Sequence, residues 1–165
     1  MHNRMTKKLF ILRHARTEPY SEDGKDFGRS LMMSGMEDAT LMGKKLAKAG
    51  VKIDHVFCST ATRTQQTLET ILPHFGVDAP HVTHSDSLYL ASYDELLSQI
   101  QELPESYESV MIVGHNPGLH QLVQTLSGSA LMKFSPCTLA VLETGNRWSD
   151  IDANMMKLTD VLLPS

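Results

Sequence analysis

Two histidines follow apolar, β-type segments of the chain, about a hundred residues apart. His14 lies in the motif LRHA after the run 8–12, and His115 lies in VGHNP after the run 110–113. Both runs have the composition of buried parallel strands. Open α/β sheets keep their ligand sites at the carboxyl ends of such strands. The pattern therefore predicts a site that contains both histidines and Arg13.

These residue types suit phosphoryl transfer. A neutral histidine such as His14 can attack phosphorus through one ring nitrogen while the other nitrogen donates to a fixed acceptor. The reaction requires positive charge around three equatorial oxygens, which arginine forks and protonated imidazole supply. Arg13 and His115 are the first candidates for this role. Arg63 is a third, because it falls in the first turn of a predicted helix, where a phosphate would also meet the helix N-terminus.

Strands and helices alternate along the chain, which indicates an α/β fold. The apolar runs predict strands at 8–12, 53–58, 81–83 and 110–113, and helical spacing predicts helices at 34–49, 61–75, 93–103 and 118–126. Ser34 is the predicted N-cap of the first helix. Two late segments, 138–143 and 155–163, are predicted strands, one antiparallel at an edge. We predict a single three-layer α/β/α domain over residues 1–165, with a mainly parallel central sheet and a flexible N-terminus at 1–6.

Composition narrows the possible classes of protein. A chain of 165 residues with 41% hydrophobic content can bury a core of its own. A net charge of -4 disfavours a general nucleic-acid binder. Cys58 and Cys137 form no CxxC pair and are expected to be reduced core residues. The apolar stretch near the start is too short for a signal peptide or membrane span, so we expect a cytoplasmic protein without a membrane partner.

The motifs RHA, STATRT and GHNP, in this order, resemble those of the histidine phosphatase superfamily, which includes phosphoglycerate mutases and acid phosphatases. The resemblance spans nearly the whole chain. The small size, RHA in place of the usual RHG, and the segment LYLAS are most similar to SixA-type phosphohistidine phosphatases. This resemblance implies that His14 is the phosphorylated nucleophile and that Arg13, Arg63 and His115 hold the phosphoryl group. Arg29 resembles a loop arginine that adds positive charge, and a solvated loop role is its alternative.

One departure from the superfamily concerns the leaving group. Mutases and many sugar-phosphate phosphatases of the superfamily place a glutamate after the third strand to protonate the leaving alkoxide. The corresponding segment here, 85–91, reads SDSLYLA and has no glutamate. Without a general acid, an alcohol would leave slower by about two to four powers of ten, whereas the imidazole of phosphohistidine needs less help. Asp86 is a candidate acid, and its alternative is a helix-entry or solvated-loop role.

We therefore expect a phosphatase that forms a covalent phosphohistidine at His14. Its expected substrate is phosphohistidine on a partner protein, such as a phosphorelay or phosphotransferase component. A small-molecule phosphomonoesterase of the same superfamily and a phosphate- or phosphohistidine-binding module without turnover are the alternatives. Imidazole and arginine chemistry requires neither a metal nor an organic cofactor. Ser59 lacks the surroundings of a serine nucleophile and is expected to cap the helix that carries Arg63.

Overall fold

A six-stranded sheet forms the centre of the computed structural model, which describes residues 6–165. Its strands are β1 Lys7–Arg13, β2 His55–Ser59, β3 His81–Ser85, β4 Ser109–Gly114, β5 Leu139–Thr144 and β6 Lys157–Leu162. Their spatial order is β3-β2-β4-β1-β5-β6. Strands β3, β2, β4 and β1 are parallel to one another. Strand β5 is antiparallel to β1, and the edge strand β6 is antiparallel to β5. The predicted flexible N-terminus lies outside the described residues, except for Thr6.

Two pairs of helices cover the two faces of the sheet. The helices are α1 Met33–Lys48, α2 Thr62–Ile71, α3 Tyr93–Gln101 and α4 Gly118–Ser127. Strand β1 is buried on both faces, because Leu9 and Ile11 join the core under α3 and α4 while Phe10 and Leu12 join the core under α1 and α2. This arrangement confirms the predicted three-layer α/β/α fold. Among residues 6–165, no helix has the length and apolar character needed to cross a bilayer.

The start of α1 differs from the prediction. Its N-cap is Met32, and no side chain caps it, so the assignment of Ser34 as N-cap is wrong. Backbone contacts decide the position instead, because the Met32 N–H donates to Arg16 O at 2.9 Å. A Cβ on Gly35 would lie 2.2 Å from the same oxygen. The missing side chain at Gly35 thus lets α1 pack directly against the loop that follows His14.

The strand order brings three segments to one edge of the sheet. Strand β4 lies between β1 and β2, and Arg13 is in register with Gly114 while Cys58 is in register with Val113. The carboxyl ends of the three strands are therefore adjacent. The loop after β1, the loop after β4 and the N-terminus of α2 all start from this edge, where ligand sites of open α/β sheets form.

Candidate active site

Four residues predicted from the sequence motifs meet at this edge of the sheet. The ring centroids of His14 and His115 are 5.4 Å apart, and the Tyr89 ring lies 5.4 Å from His115 and 5.8 Å from the Arg63 guanidinium carbon. His14, His115 and Arg63 are buried, and Arg13 is half-buried. Three chain segments that are distant in the sequence thus contribute to a single cationic pocket.

The backbone holds His14 in a defined orientation. Its N–H donates to Gly114 O at 3.2 Å, and its carbonyl accepts from the Cys137 N–H at 3.0 Å. The ring atom Nδ1 lies 2.7 Å from Ala15 O. Because a carbonyl oxygen can only accept, Nδ1 carries the ring proton and Nε2 keeps its lone pair. The Ala15 N–H donates in turn to Thr67 Oγ1 on α2 at 3.0 Å. This is the arrangement that a histidine nucleophile requires.

His115 is oriented by a serine on the neighbouring strand. Its Nε2 lies 2.7 Å from Ser59 Oγ, which also accepts a 3.3 Å hydrogen bond from the Ala61 N–H. Within residues 6–165, His115 Nε2 is the only acceptor in reach of the Ser59 hydroxyl proton, so the hydroxyl donates to Nε2 and the ring proton is on Nδ1. The expectation that Ser59 caps α2 is wrong, since the N-cap is Ala61. Ser59 could be identified in the sequence, but its contact with His115 joins residues that are far apart in the chain.

Unpartnered polar atoms concentrate in this pocket. Among residues 6–165, the buried side-chain nitrogens or oxygens without a hydrogen-bond partner are Arg13 Nε, Arg63 Nε, His115 Nδ1 and Thr138 Oγ1. Buried donors are nearly always paired in folded proteins, because an unmade hydrogen bond costs about 1–3 kcal/mol. Three of these atoms are N–H donors of the predicted site residues. A phosphoryl oxyanion would supply the acceptors that they lack.

Arg63 lies in the first turn of α2, as predicted, and is paired with Asp26. Its two terminal nitrogens donate to Asp26 O at 2.8 Å and Asp26 Oδ2 at 2.9 Å. Arg29 donates to Asp26 Oδ1 through Nε at 3.0 Å, and its Nη2 forms an ion-pair contact with the same oxygen at 3.0 Å. The Tyr89 hydroxyl donates to Asp26 Oδ2. Arg29 therefore joins the site through Asp26, and its remaining nitrogen donates to Thr17 Oγ1 at 2.7 Å.

Asp26 and Tyr89 are site residues that the sequence reasoning missed. The hydrogen bonds from Tyr89 and Arg63 lower the pKa of Asp26 to about 2, so its carboxylate is ionised at neutral pH. The oxygens of this carboxylate accept three hydrogen bonds, from Arg29 Nε, Arg63 Nη2 and the Tyr89 hydroxyl. The only local signal was the spacing of Asp26 three residues before Arg29. The pairing with Arg63 and Tyr89 depends on the fold.

Asp86, the candidate acid, is bonded to Thr60, the residue that directly follows β2. Within the described part of the chain, its carboxylate has no hydrogen bond to Arg13, His14, Arg63 or His115. Oδ1 accepts from Thr60 Oγ1 at 2.5 Å, and Asp86 begins a short 3-10 turn after β3. This position agrees with the alternative role at the entry to a helical turn. The acid role of Asp86 stays a prediction.

Burial and neighbouring charge keep both histidines neutral in the free protein. Burial, followed by the charges of Arg63, Arg13 and Arg29, lowers the pKa of His14 to about 4. Burial, followed by Arg63 and His14, lowers the pKa of His115 to about 3. The expectation of a protonated imidazole at His115 therefore does not hold for the free site. His115 offers a neutral Nδ1–H donor instead, and the arginines supply the positive charge.

The sequence profile described as histidine phosphatase superfamily (branch 1) matches residues 9–89, a range that includes Arg13, His14 and Arg63. The chain belongs to the histidine phosphatase superfamily. A structure from Nakamurella multipartitia, provisionally named phosphohistidine phosphatase SixA, is 28% identical, with a TM-score of 0.84 and 95% of each chain covered. This superfamily membership and the SixA-like fold support a phosphatase, that is, a hydrolase of phosphorylated substrates.

Two further proteins are similar to this chain in sequence. An uncharacterized protein of Mycobacterium tuberculosis is 29% identical over 163 residues, which cover 93% of this chain and 99% of the relative. The mitochondrial serine/threonine-protein phosphatase PGAM5 of Xenopus tropicalis is 43% identical over 67 residues, which cover 40% of this chain and 23% of the relative. The first similarity is global, whereas the second is limited to a shared segment.

Proposed function

We propose that this histidine phosphatase removes the phosphoryl group from phosphohistidine on a partner protein, with His14 as the covalent nucleophile. One observation carries the assignment of the site. The free Nε2 of His14 lies in a pocket with three unpartnered N–H groups, from Arg13, Arg63 and His115. That pocket combines a nucleophile with donors for the oxygens of a phosphoryl group.

In the first step, His14 Nε2 attacks phosphorus in line with the bond to the substrate nitrogen. That bond breaks, and its electron pair stays on the leaving imidazole. A substrate ring that arrives protonated on its other nitrogen leaves as neutral imidazole and needs no acid from the enzyme. The arginines and His115 Nδ1–H stabilise the charge on the transferring group, while Ala15 O accepts the Nδ1–H of the phosphorylated His14 ring.

In the second step, water attacks the phosphorus of the phosphohistidine at His14. The bond between phosphorus and Nε2 breaks, its electron pair returns to Nε2, and the proton of the attacking water leaves with inorganic phosphate or to solvent. The nucleophile is regenerated in its neutral form. The low pKa of His14, about 4, favours this state at neutral pH.

The carboxylates near the pocket favour a nitrogen leaving group. Asp26 is ionised, with a pKa of about 2, and its oxygens already accept from Arg29, Arg63 and Tyr89. It therefore has no proton to give to an alkoxide. Asp86 is engaged by Thr60. Since imidazole leaves more readily than an alcohol, a site with these carboxylates suits phosphohistidine better than a sugar phosphate.

A macromolecular substrate is favoured by the names of two relatives. One is called a phosphohistidine phosphatase and another a serine/threonine-protein phosphatase. A phosphorelay or phosphotransferase component carries phosphohistidine and is the class of partner that we propose. A cytoplasmic location for this reaction stays a prediction.

A trapping experiment tests the proposal. The protein is mixed briefly with ³²P-labelled phosphohistidine protein and denatured, and the label on the enzyme is measured. We expect an acid-labile, base-stable phosphoenzyme that is absent in His14→Ala and present in His84→Ala, a control on the exposed face of β3. Label in His14→Ala would refute the nucleophile. Faster turnover of sugar phosphates would indicate a small-molecule phosphomonoesterase, and tight binding without turnover would indicate a binding module.

A further inference from the structure

Three aromatic rings form a row that runs to the surface from the cationic pocket of the candidate active site, which we call the phosphoryl pocket. The His115 and Tyr89 rings are 5.4 Å apart at 82°, and the Tyr89 and Phe27 rings are 4.9 Å apart at 88°. Exposure increases along this row, because His115 is 3% exposed, Tyr89 is half-buried and Phe27 is 40% exposed. The row therefore lines one side of the mouth of the site.

Both outer rings are fixed relative to Arg63. The Tyr89 hydroxyl donates to Asp26, and the Tyr89 ring lies 5.8 Å from the Arg63 guanidinium carbon. Phe27 follows Asp26 in the 3-10 turn Asp26–Gly28, and Asp26 is bound to Arg63 through both its carboxylate and its carbonyl. Because the hydroxyl of Tyr89 is occupied, the aromatic rings themselves are what Tyr89 and Phe27 can offer to a substrate.

The leaving group of phosphohistidine matches this surface. Its imidazole is a flat ring, bonded directly to phosphorus, and it is cationic when its second nitrogen is protonated. Aromatic rings attract one another in edge and offset arrangements, and they attract cations through their faces. The ionised carboxylate of Asp26 is bonded to the Tyr89 hydroxyl and adds attraction for a cation.

We propose that Tyr89 and Phe27 form an aromatic wall that recognises the protonated imidazole ring of the substrate while Arg63 and its neighbours hold the phosphoryl group. This inference rests on the proposed function and adds to it a reason for substrate choice. Two parts of one substrate are then recognised separately: the phosphoryl group by buried N–H donors, and the leaving ring by the half-exposed rings at the mouth.

A comparison of two substrates isolates the ring. Phosphoramidate and free phosphohistidine both contain a phosphorus–nitrogen bond, but only phosphohistidine has a ring to recognise. The measured quantity is the ratio of kcat/KM for phosphohistidine to kcat/KM for phosphoramidate. General damage to the phosphoryl pocket lowers both values and cancels in this ratio. A change in the ratio therefore reports recognition of the leaving group.

We expect Phe27→Leu to lower this ratio about three- to tenfold, the effect of one aromatic contact. Tyr89→Leu should lower it further. Tyr89→Phe keeps the ring and should preserve the ratio, as should Tyr20→Leu, which removes an exposed tyrosine whose ring contacts none of the three rings in the row.

The two proposals fail in different ways. If wild-type protein hydrolyses both substrates and the ratio stays within twofold in Phe27→Leu and Tyr89→Leu, the aromatic wall is wrong while the phosphatase assignment stands. If wild-type protein hydrolyses neither substrate, the proposed function is wrong, and the inference that rests on it is overturned as well.

Discussion

Ser59→Ala should slow the reaction without removing any group that touches the substrate. In the wild type, the Ser59 hydroxyl donates to His115 Nε2 over 2.7 Å and thereby keeps the ring proton on Nδ1, in the pocket. Alanine leaves the imidazole in place but removes this constraint. The proton can then move to Nε2, and a bare Nδ1 lone pair would face the phosphoryl oxygens and repel them.

The magnitude follows from the burial of the two groups. Ser59 is fully buried and His115 is 3% exposed, so the loss of one partner should lower the free energy of unfolding by about 1–3 kcal/mol. Removal of a donor to a developing oxyanion costs about a hundred- to a thousandfold in kcat. Because the donor remains in one tautomer, we expect a smaller decrease in kcat, of about ten- to a hundredfold. KM should change little.

Steady-state kinetics with phosphoramidate, together with thermal unfolding, checks this prediction. Ser59→Thr retains a hydroxyl and should restore most of kcat. Thr60→Ala is the matched control, because it removes the adjacent hydroxyl, which contacts Asp86 and not His115. A folded Ser59→Ala protein with kcat within twofold of the wild type would refute the tautomer argument. An equal loss in Thr60→Ala would point to a general disturbance of the end of β2.

Three further predictions concern the charged groups. Arg63→Lys should lower kcat by about a hundredfold or more, because a lysine cannot both pair with Asp26 and direct an Nε–H into the pocket. The control Arg16→Lys changes a surface arginine and should leave kcat unchanged. The pH profile of kcat/KM should stay level on the acidic side down to about pH 5 and fall near pH 4, where His14 takes up a proton; a fall near pH 6.5 would contradict the low pKa. Protonation of His14 also affects stability, because its pKa falls from 6.5 in the unfolded chain to about 4 in the folded protein. As the pH falls from 6.5 to 4, urea titrations should show that the free energy of unfolding decreases by about 3 kcal/mol more in the wild type than in His14→Asn. Equal pH dependence of the two proteins would argue against this low pKa.

The residues of the phosphoryl pocket could be proposed from the sequence because their positions are local consequences of strand ends. Arg13 and His14 end a β-type run, His115 follows another, and Arg63 begins a helix after a third. In a parallel sheet such ends share one edge, so residue type and order were sufficient to group these four side chains. The alternation of apolar runs and helical spacing likewise predicted the three layers.

Only the tertiary structure decided how these residues are held and which neighbours complete the site. Asp26 is bonded to Arg63 and Ser59 to His115, although each pair is separated by dozens of residues in the chain. The Tyr89 ring lies beside both Arg63 and His115. Side-chain contacts of this kind leave no periodic or local signal in a single sequence. Protonation also depended on the fold, because burial among arginines, and not residue type, makes His115 neutral.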